Sequence, residues 1–243
     1  IGVSEDPNVV ATEDSETKES LLRDWPYYLS KIYADRVCER YYRNHDLPVV
    51  LMRPTILLGP GDRRGSSTND IVLFLKRKIP AAMSGGLSFV DARDAAEGFR
   101  LAMEKADPGE SYLLGQINLP LKEYFERLES ISGVPAPNIP IPDRLMVAGS
   151  RLLESASRAL GREAEIDAVS VEMARYYWYI DATKAREELG WRPRDPNETL
   201  RDTIRWIRRN HSDFSEDRGR PTPPEEFVPE ETVEYAERMA DEE

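Results

Sequence analysis

The sequence predicts an α/β protein organised around a parallel sheet. Short apolar runs suited to strands alternate with helical patterns of roughly ten or more residues, the order that crossover connections require. The 40% hydrophobic share over 243 residues is enough for a folded core and excludes a disordered chain. No internal repeat at solenoid periods competes with this reading.

Taken in order, residues 26–43 form a helix with Asp24 as its N-cap and Pro26 in the first turn. The apolar run 49–52 reads as a strand, ending where a Pro- and Gly-rich loop begins. Residues 70–78 are a helix, 87–90 a strand, 91–105 a helix and 111–114 a strand. Helices follow at 120–132 and 143–160. The aromatic run Tyr176-Tyr177-Trp178-Tyr179 could stack bases or sugars, but its alternating faces favour a short strand covering the core. Residues 182–189 form a helix bracketed by Asp181 and Gly190, and 198–209 form another. From Ser215 onward eleven Asp and Glu face three Arg among several prolines, so this stretch carries −8 of the net −12. Such a composition reads as a solvated tail, with room for a short helix at 230–239.

Composition also excludes functions. No stretch approaches the ~18 consecutive apolar residues of a membrane span. Cys38 is the one cysteine, so an intramolecular disulfide is impossible, and with only His45 and His211 beside it no zinc cage of thiolates and imidazoles can form. A reducing, cytoplasmic setting is expected. The acidic balance repels a phosphate backbone, which excludes nucleic acid as a partner. His45 has no Ser elbow of the G-x-S-x-G kind to work with, so a hydrolase triad is unsupported. The chain opens on Ile1 without a signal or transit peptide and reads as cut from something longer.

Chemistry concentrates in Asp24-Trp25-Pro26-Tyr27-Tyr28-Leu29-Ser30-Lys31. Four residues apart on one helix face, Tyr27 and Lys31 bring an ammonium beside a phenol. A tyrosine ordinarily titrates near ~10, and a nearby cation and a helix N-terminus both favour its ionised form, as proton transfer requires. The alternative is a half-buried aromatic beside a solvated lysine. Context comes from Arg53-Pro54-Thr55-Ile56-Leu57-Leu58-Gly59-Pro60-Gly61-Asp62, which starts at a strand's carboxyl end, where ligands of open α/β sheets bind.

Four blocks in order resemble the later two-thirds of an extended short-chain dehydrogenase/reductase of the NAD(P)-dependent epimerase/dehydratase and dihydroflavonol-4-reductase-like group. They are Y-x-x-x-K at Tyr27 to Lys31, R-P-T-x-x-x-G-P-G-D at Arg53 to Asp62, the corner Phe89 to Asp94, and D-A-T-K-A-R-E-E-L-G-W-R-P from Asp181. The resemblance covers about residues 1–210 and comes nearest to hopanoid-associated sugar epimerases. It implies the C-terminal part of a Rossmann-type fold. Residues 1–115 would complete the dinucleotide-binding half, 116–211 would form a small, mostly helical substrate part, and 212–243 the acidic tail.

The resemblance further implies NAD or NADP as cofactor and Tyr27 as general acid/base. Lys31 would support Tyr27 and hold the nicotinamide ribose, while Pro54, Thr55 and Ile56 would meet the nicotinamide by backbone. Arg63, Arg64, Ser66, Ser67 and Asp91 would lie on the substrate side. The family usually has a His and a first Asp where Asp91 and Arg93 stand, whereas the helix-capping Asp94 is retained. The catalytic Ser or Thr would fall just before Ile1, and the Gly-rich phosphate loop far upstream. Gly59-x-Gly61 and Gly85-Gly86 lack the strand-to-helix setting to replace it. The chain alone is therefore expected neither to bind dinucleotide tightly nor to turn over. A homodimer through the helix bearing Tyr27, lined by Tyr33, Val37 and Tyr41, is also implied. The competing reading is a non-catalytic binding or scaffold protein that retains the fold.

Overall fold

The structure is a computed structural model that describes residues 2–159 and 168–214. Its elements are β1 (Val3–Ser4), α1 (Glu19–Leu22), α2 (Pro26–His45), β2 (Leu51–Pro54), β3 (Ile56–Leu58), α3 (Asn69–Leu75), β4 (Gly86–Asp91) and α4 (Ala92–Lys105). Then come β5 (Ser111–Leu114), β6 (Ile117–Pro120), α5 (Leu121–Ser132), α6 (Asp143–Ala159), α7 (Ala168–Met173), β7 (Tyr177–Trp178), α8 (Thr183–Glu188) and α9 (Pro196–Asn210). Residues 1–207 form one compact unit, and 208–243 group separately. Of the latter, the end of α9 and a 3-10 turn at Ser212–Phe214 are described. The expected helix end at residue 160 and the acidic stretch after residue 214 lie outside the described residues.

The α/β expectation holds, and the sheet is parallel at its centre. β3 pairs parallel with β4, β7 joins β4 in the same sense, and β1 and β6 add antiparallel edges. β2 and β5 form a separate parallel pair, from Leu51↔Ser111 to Pro54↔Leu114. The long predicted helices all form, with ends shifted by a few residues. Five short elements, β1, α1, β3, β6 and α7, escape sequence reading because each is too short, at two to six residues, to repeat its pattern convincingly. β3 is the instructive case: the turn residues around it read as loop, yet Ile56 to Leu58 pair residue for residue with Phe89 to Asp91.

The main core lies between β4, β5, α4 and the segment around α8, with Val90, Leu113, Leu114, Leu189 and Trp191 essentially buried. Trp191 is fully enclosed and its indole N–H donates to the Asp94 carbonyl at 2.7 Å. Gly98, in mid α4, makes this packing possible. A Cβ there would come within 2.8 Å of a Leu114 methyl and 3.4 Å of the Trp191 ring nitrogen. That accounts for a residue costing a helix about 1 kcal/mol relative to Ala.

One capping expectation is corrected. Asp91 caps α4, its carboxylate accepting the Arg93 N–H at 2.9 Å, while Asp94 turns to Arg194. Asp181 behaves as expected, accepting the Thr183 N–H and hydroxyl at the start of α8, and Gly190 follows at φ 73°.

Replacing Trp191 by Ala removes a fully buried side chain and its hydrogen bond to the Asp94 carbonyl. The expected loss is about 3–5 kcal/mol, read as a lower urea midpoint. A midpoint unchanged from wild type would show that this core does not hold the unit together.

Candidate active site

α2 begins at Pro26, but Asp24 does not cap it. Trp25 occupies the cap position in extended conformation, with no side-chain hydrogen bond to the helix. Burial explains the exchange. Trp25 inserts beside Tyr28, Tyr176 and Trp178, with Tyr28 stacked on Trp178 at 5.0 Å between centroids. The aromatic run is thus cover for the core, as expected, and β7 is its strand. The two adjacent tyrosines consequently differ. Burial, with a smaller contribution from Tyr27, pushes the Tyr28 phenol up to about 12, so it stays protonated as a packing group. Tyr27 is 65% exposed, and the Lys31 ammonium lies over its ring, 5.3 Å from the centroid. The structure therefore brings the Tyr27–Lys31 pair together on an open face.

The Pro54-Thr55-Ile56 segment is where the chain changes sheets. β2 ends at Pro54 beside β5, β3 starts at Ile56 beside β4, and Thr55 alone separates them. Thr55 N–H and Oγ1 both donate to the Leu114 carbonyl, at 3.0 and 3.2 Å. The carboxyl ends of β2 and β5, the kind of end at which open α/β sheets bind ligands, therefore lie at Thr55. Arg53 ties this point to α2, its Nε donating to Asp35 at 2.9 Å.

The loop after β3 is organised by Asp62. Its carboxylate accepts the backbone N–H groups of Ser66, Ser67 and Thr68 and the Thr68 hydroxyl. Burial alone would raise the Asp62 pKa, but these hydrogen bonds outweigh it and hold the carboxyl below its ordinary value. Arg63, Arg64 and Ser66 are exposed on this loop, and Ser67 is half-buried. Their side chains remain open, while the backbone amides of both serines serve the loop itself.

Asp91, expected on the substrate side, is instead fully buried at the corner between β4 and α4. Arg93 grips both its oxygens at 2.9 and 2.8 Å and reaches on to Asp202 of α9. Arg194 lies 3.6 Å from Asp91 and forks onto Asp94. Burial pushes the Asp91 carboxyl up, but the Arg93 hydrogen bonds and the charges of Arg93 and Arg194 pull it further down, below the ordinary range. The exchanged Asp91/Arg93 pair is thus an ion pair capping one helix and stapling another. Arg194 and Asp202 escape sequence reading because they meet this corner only through the tertiary fold.

The residues fit one end of a dinucleotide. Open Tyr27 and Lys31 suit a nicotinamide ribose and a reacting oxygen. Among the described residues, the pyrophosphate end finds no cradle: the amides of 66–68 already hold the Asp62 carboxylate, and a Cβ on Gly59 (φ 127°) would meet Asp91 Oδ1 at 3.3 Å, so an anion there would face a carboxylate. Gly85 and Gly86 make room instead for the Ala174–Tyr176 backbone and the Tyr179 ring. A cleft of about 190 Å³ opens elsewhere, near the end of β5, between Gln116, Asn118, Ile180 and Arg186. The described residues hold no cluster of three or more potential metal ligands and no helix long and apolar enough to cross a membrane.

The fold is that of the extended short-chain dehydrogenase/reductases. Residues 3–115 match the sequence model of the NAD dependent epimerase/dehydratase family, and this stretch belongs to that family. A putative dihydroflavonol 4-reductase of Synechocystis is 33% identical over 168 residues, covering 67% of this chain and 49% of that protein. Sterol demethylase protein B of Methylococcus capsulatus is 28% identical over 165 residues, covering 67% and 50%. The crystal structure of a nucleoside-diphosphate-sugar epimerase from Pseudomonas aeruginosa superposes with a TM-score of 0.68 at 27% identity, covering 86% of this chain and 64% of that one. The chain spans about half the length of the curated relatives it matches.

The depressed carboxyls of Asp62 and Asp91 set an acid limit. Each titrates lower in the folded than in the unfolded chain, so its contribution is complete above the unfolded value of about 3.9 and disappears as pH falls through the lower folded value. Urea midpoints measured from pH 6 to 2.5 should fall below about pH 4, and more shallowly in Asp62→Asn and Asp91→Asn. An identical acid limb in all three proteins would remove both carboxylates from the account.

Proposed function

We propose that this chain carries the catalytic pair and substrate loops of an NAD(P)-dependent oxidoreductase or epimerase acting on a sugar-nucleotide-like or other hydroxy/keto substrate. The observation that carries the reading is the Lys31 ammonium over the Tyr27 ring on the open face of α2. When bound, the nicotinamide supplies or takes up hydride. Tyr27 Oη delivers or accepts the proton at the substrate oxygen, and Lys31 steadies the negative charge that develops there. A ligand at the switch point meets the Thr55 carbonyl, because its N–H is committed to Leu114. Arg63 and Arg64 offer charge to an anionic part of the substrate, and the Ser66 and Ser67 hydroxyls offer hydrogen bonds.

The reading includes completion by a dinucleotide-binding segment outside this chain. Parallel strands ordinarily lie in larger sheets with both faces covered. Here every residue of β2 is only half-buried, and none of the 20 residues of α2 is buried. Alone, the chain turns over little or nothing. Tyr33 and Tyr41, 67% and 49% exposed, lie with Val37 on a further sector of α2 that suits a homodimer.

In protein that includes the dinucleotide-binding half, Tyr27→Phe is expected to lower kcat by about 10²–10⁴-fold with unchanged melting. Full activity in that variant would leave the non-catalytic scaffold as the better description.

A further inference from the structure

The catalytic reading requires α2 to present Tyr27 and Lys31 at a fixed rotation, yet the helix has no buried residue to set it. What holds it is visible around its circumference. Four residues advance a helix face by about 40°, so Tyr27, Lys31 and Asp35 lie at roughly 0, 40 and 80°, with Tyr28 near 100° and Ile32 near 140°. Tyr28 and Ile32 rest on the aromatic cluster of Trp25 and Trp178. Arg36, near 180° by the same count, pairs with Glu19 of α1. The tethered sector thus runs from Asp35 to Arg36, and Asp35 is its edge next to the open pair.

The partner of Asp35 is Arg53, the residue immediately before Pro54. Their 2.9 Å ion pair has side chains 17% and 29% exposed and is, among the described residues, the one ion pair that joins α2 to a strand. We propose that Asp35, through Arg53, is a positioning residue: it locks the rotation of α2 against the carboxyl end of β2 and so holds Tyr27 and Lys31 in register with the sheet switch at Thr55. This rests on the reading of Tyr27 and Lys31 as the proton-transfer pair. Aromatic packing on one side leaves the helix free to roll by a fraction of a turn. A directional, charge-assisted bond on the side facing the strand removes that freedom. A displacement of about 1 Å at reacting groups can cost about 10²-fold in rate.

The test uses protein that includes the dinucleotide-binding half, with active-site concentration determined for each variant. Asp35→Ala is expected to lower kcat about ten- to a hundredfold, leave substrate KM within about twofold, and displace the kcat–pH profile. The reversed pair, Asp35→Arg with Arg53→Asp, should recover at least about a tenth of the wild-type rate, whereas each single reversal should not. A merely structural bond would lower the melting temperature and the active fraction without moving the pH profile. Tyr27→Phe, measured alongside, separates the two levels. If it retains activity, the catalytic reading fails and the inference falls with it. If it abolishes turnover while Asp35→Ala keeps kcat and pH profile, the positioning role alone is overturned.

Discussion

The architecture depends on the crossing at Thr55, where one residue carries the chain from the β2–β5 pair into the five-stranded sheet. Two hydrogen bonds from Thr55 to one carbonyl, that of Leu114, pin the crossing to the end of β5. β2 and β5 end together at this crossing, whereas β3 and β4 run on side by side from it to their carboxyl ends at Leu58 and Asp91. The features with chemical potential lie at these two successive strand ends: Arg53 just before the crossing, and the Asp62 loop and the Asp91 corner beside Gly59 where β3 and β4 end.

Charge at this end of the sheet is arranged so that fixed carboxylates consume the groups an anion would otherwise seek. Asp62 occupies the amide nest of its own loop, and Asp91 occupies Arg93. Burying a carboxylate is expensive unless it is paired and hydrogen-bonded, and Asp91 meets both conditions by recruiting α9 through Arg93 and Asp202. Asp91 and Arg93 therefore hold the corner from within and join it to α9 as an internal staple.

The fold was legible where periodicity ran long enough to be read. α4, α5 and α9 follow from helical apolar patterns, α2 was read from Pro26 in its first turn although its cap falls on Trp25, and β5 was visible as an isolated apolar run. β3 was not, because three residues between Pro54 and Gly59 cannot show alternation. The Tyr27–Lys31 pair was legible because both residues sit on one helix at a fixed spacing. The Asp91–Arg93 reading went astray for the complementary reason. Two residues apart at a strand-to-helix corner, they are neighbours only once Asp91 takes the cap position. The arginine that completes the corner, Arg194, lies a hundred residues away along the chain.

Among the described residues, the open pair sits on the least buried long helix, which is a constraint as well as an exposure. A helix held by core packing would be fixed in every degree of freedom but would bury the phenol it must present. α2 is held instead at one flank, by Trp25 and Tyr28 against Trp178 and by Asp35 against Arg53, so that the flank bearing Tyr27 and Lys31 stays accessible. Stability and presentation are thus divided between two sides of the same helix. The division accounts for two adjacent tyrosines with opposite fates: Tyr28 is driven to remain a neutral packing group, and Tyr27 is left to meet a ligand.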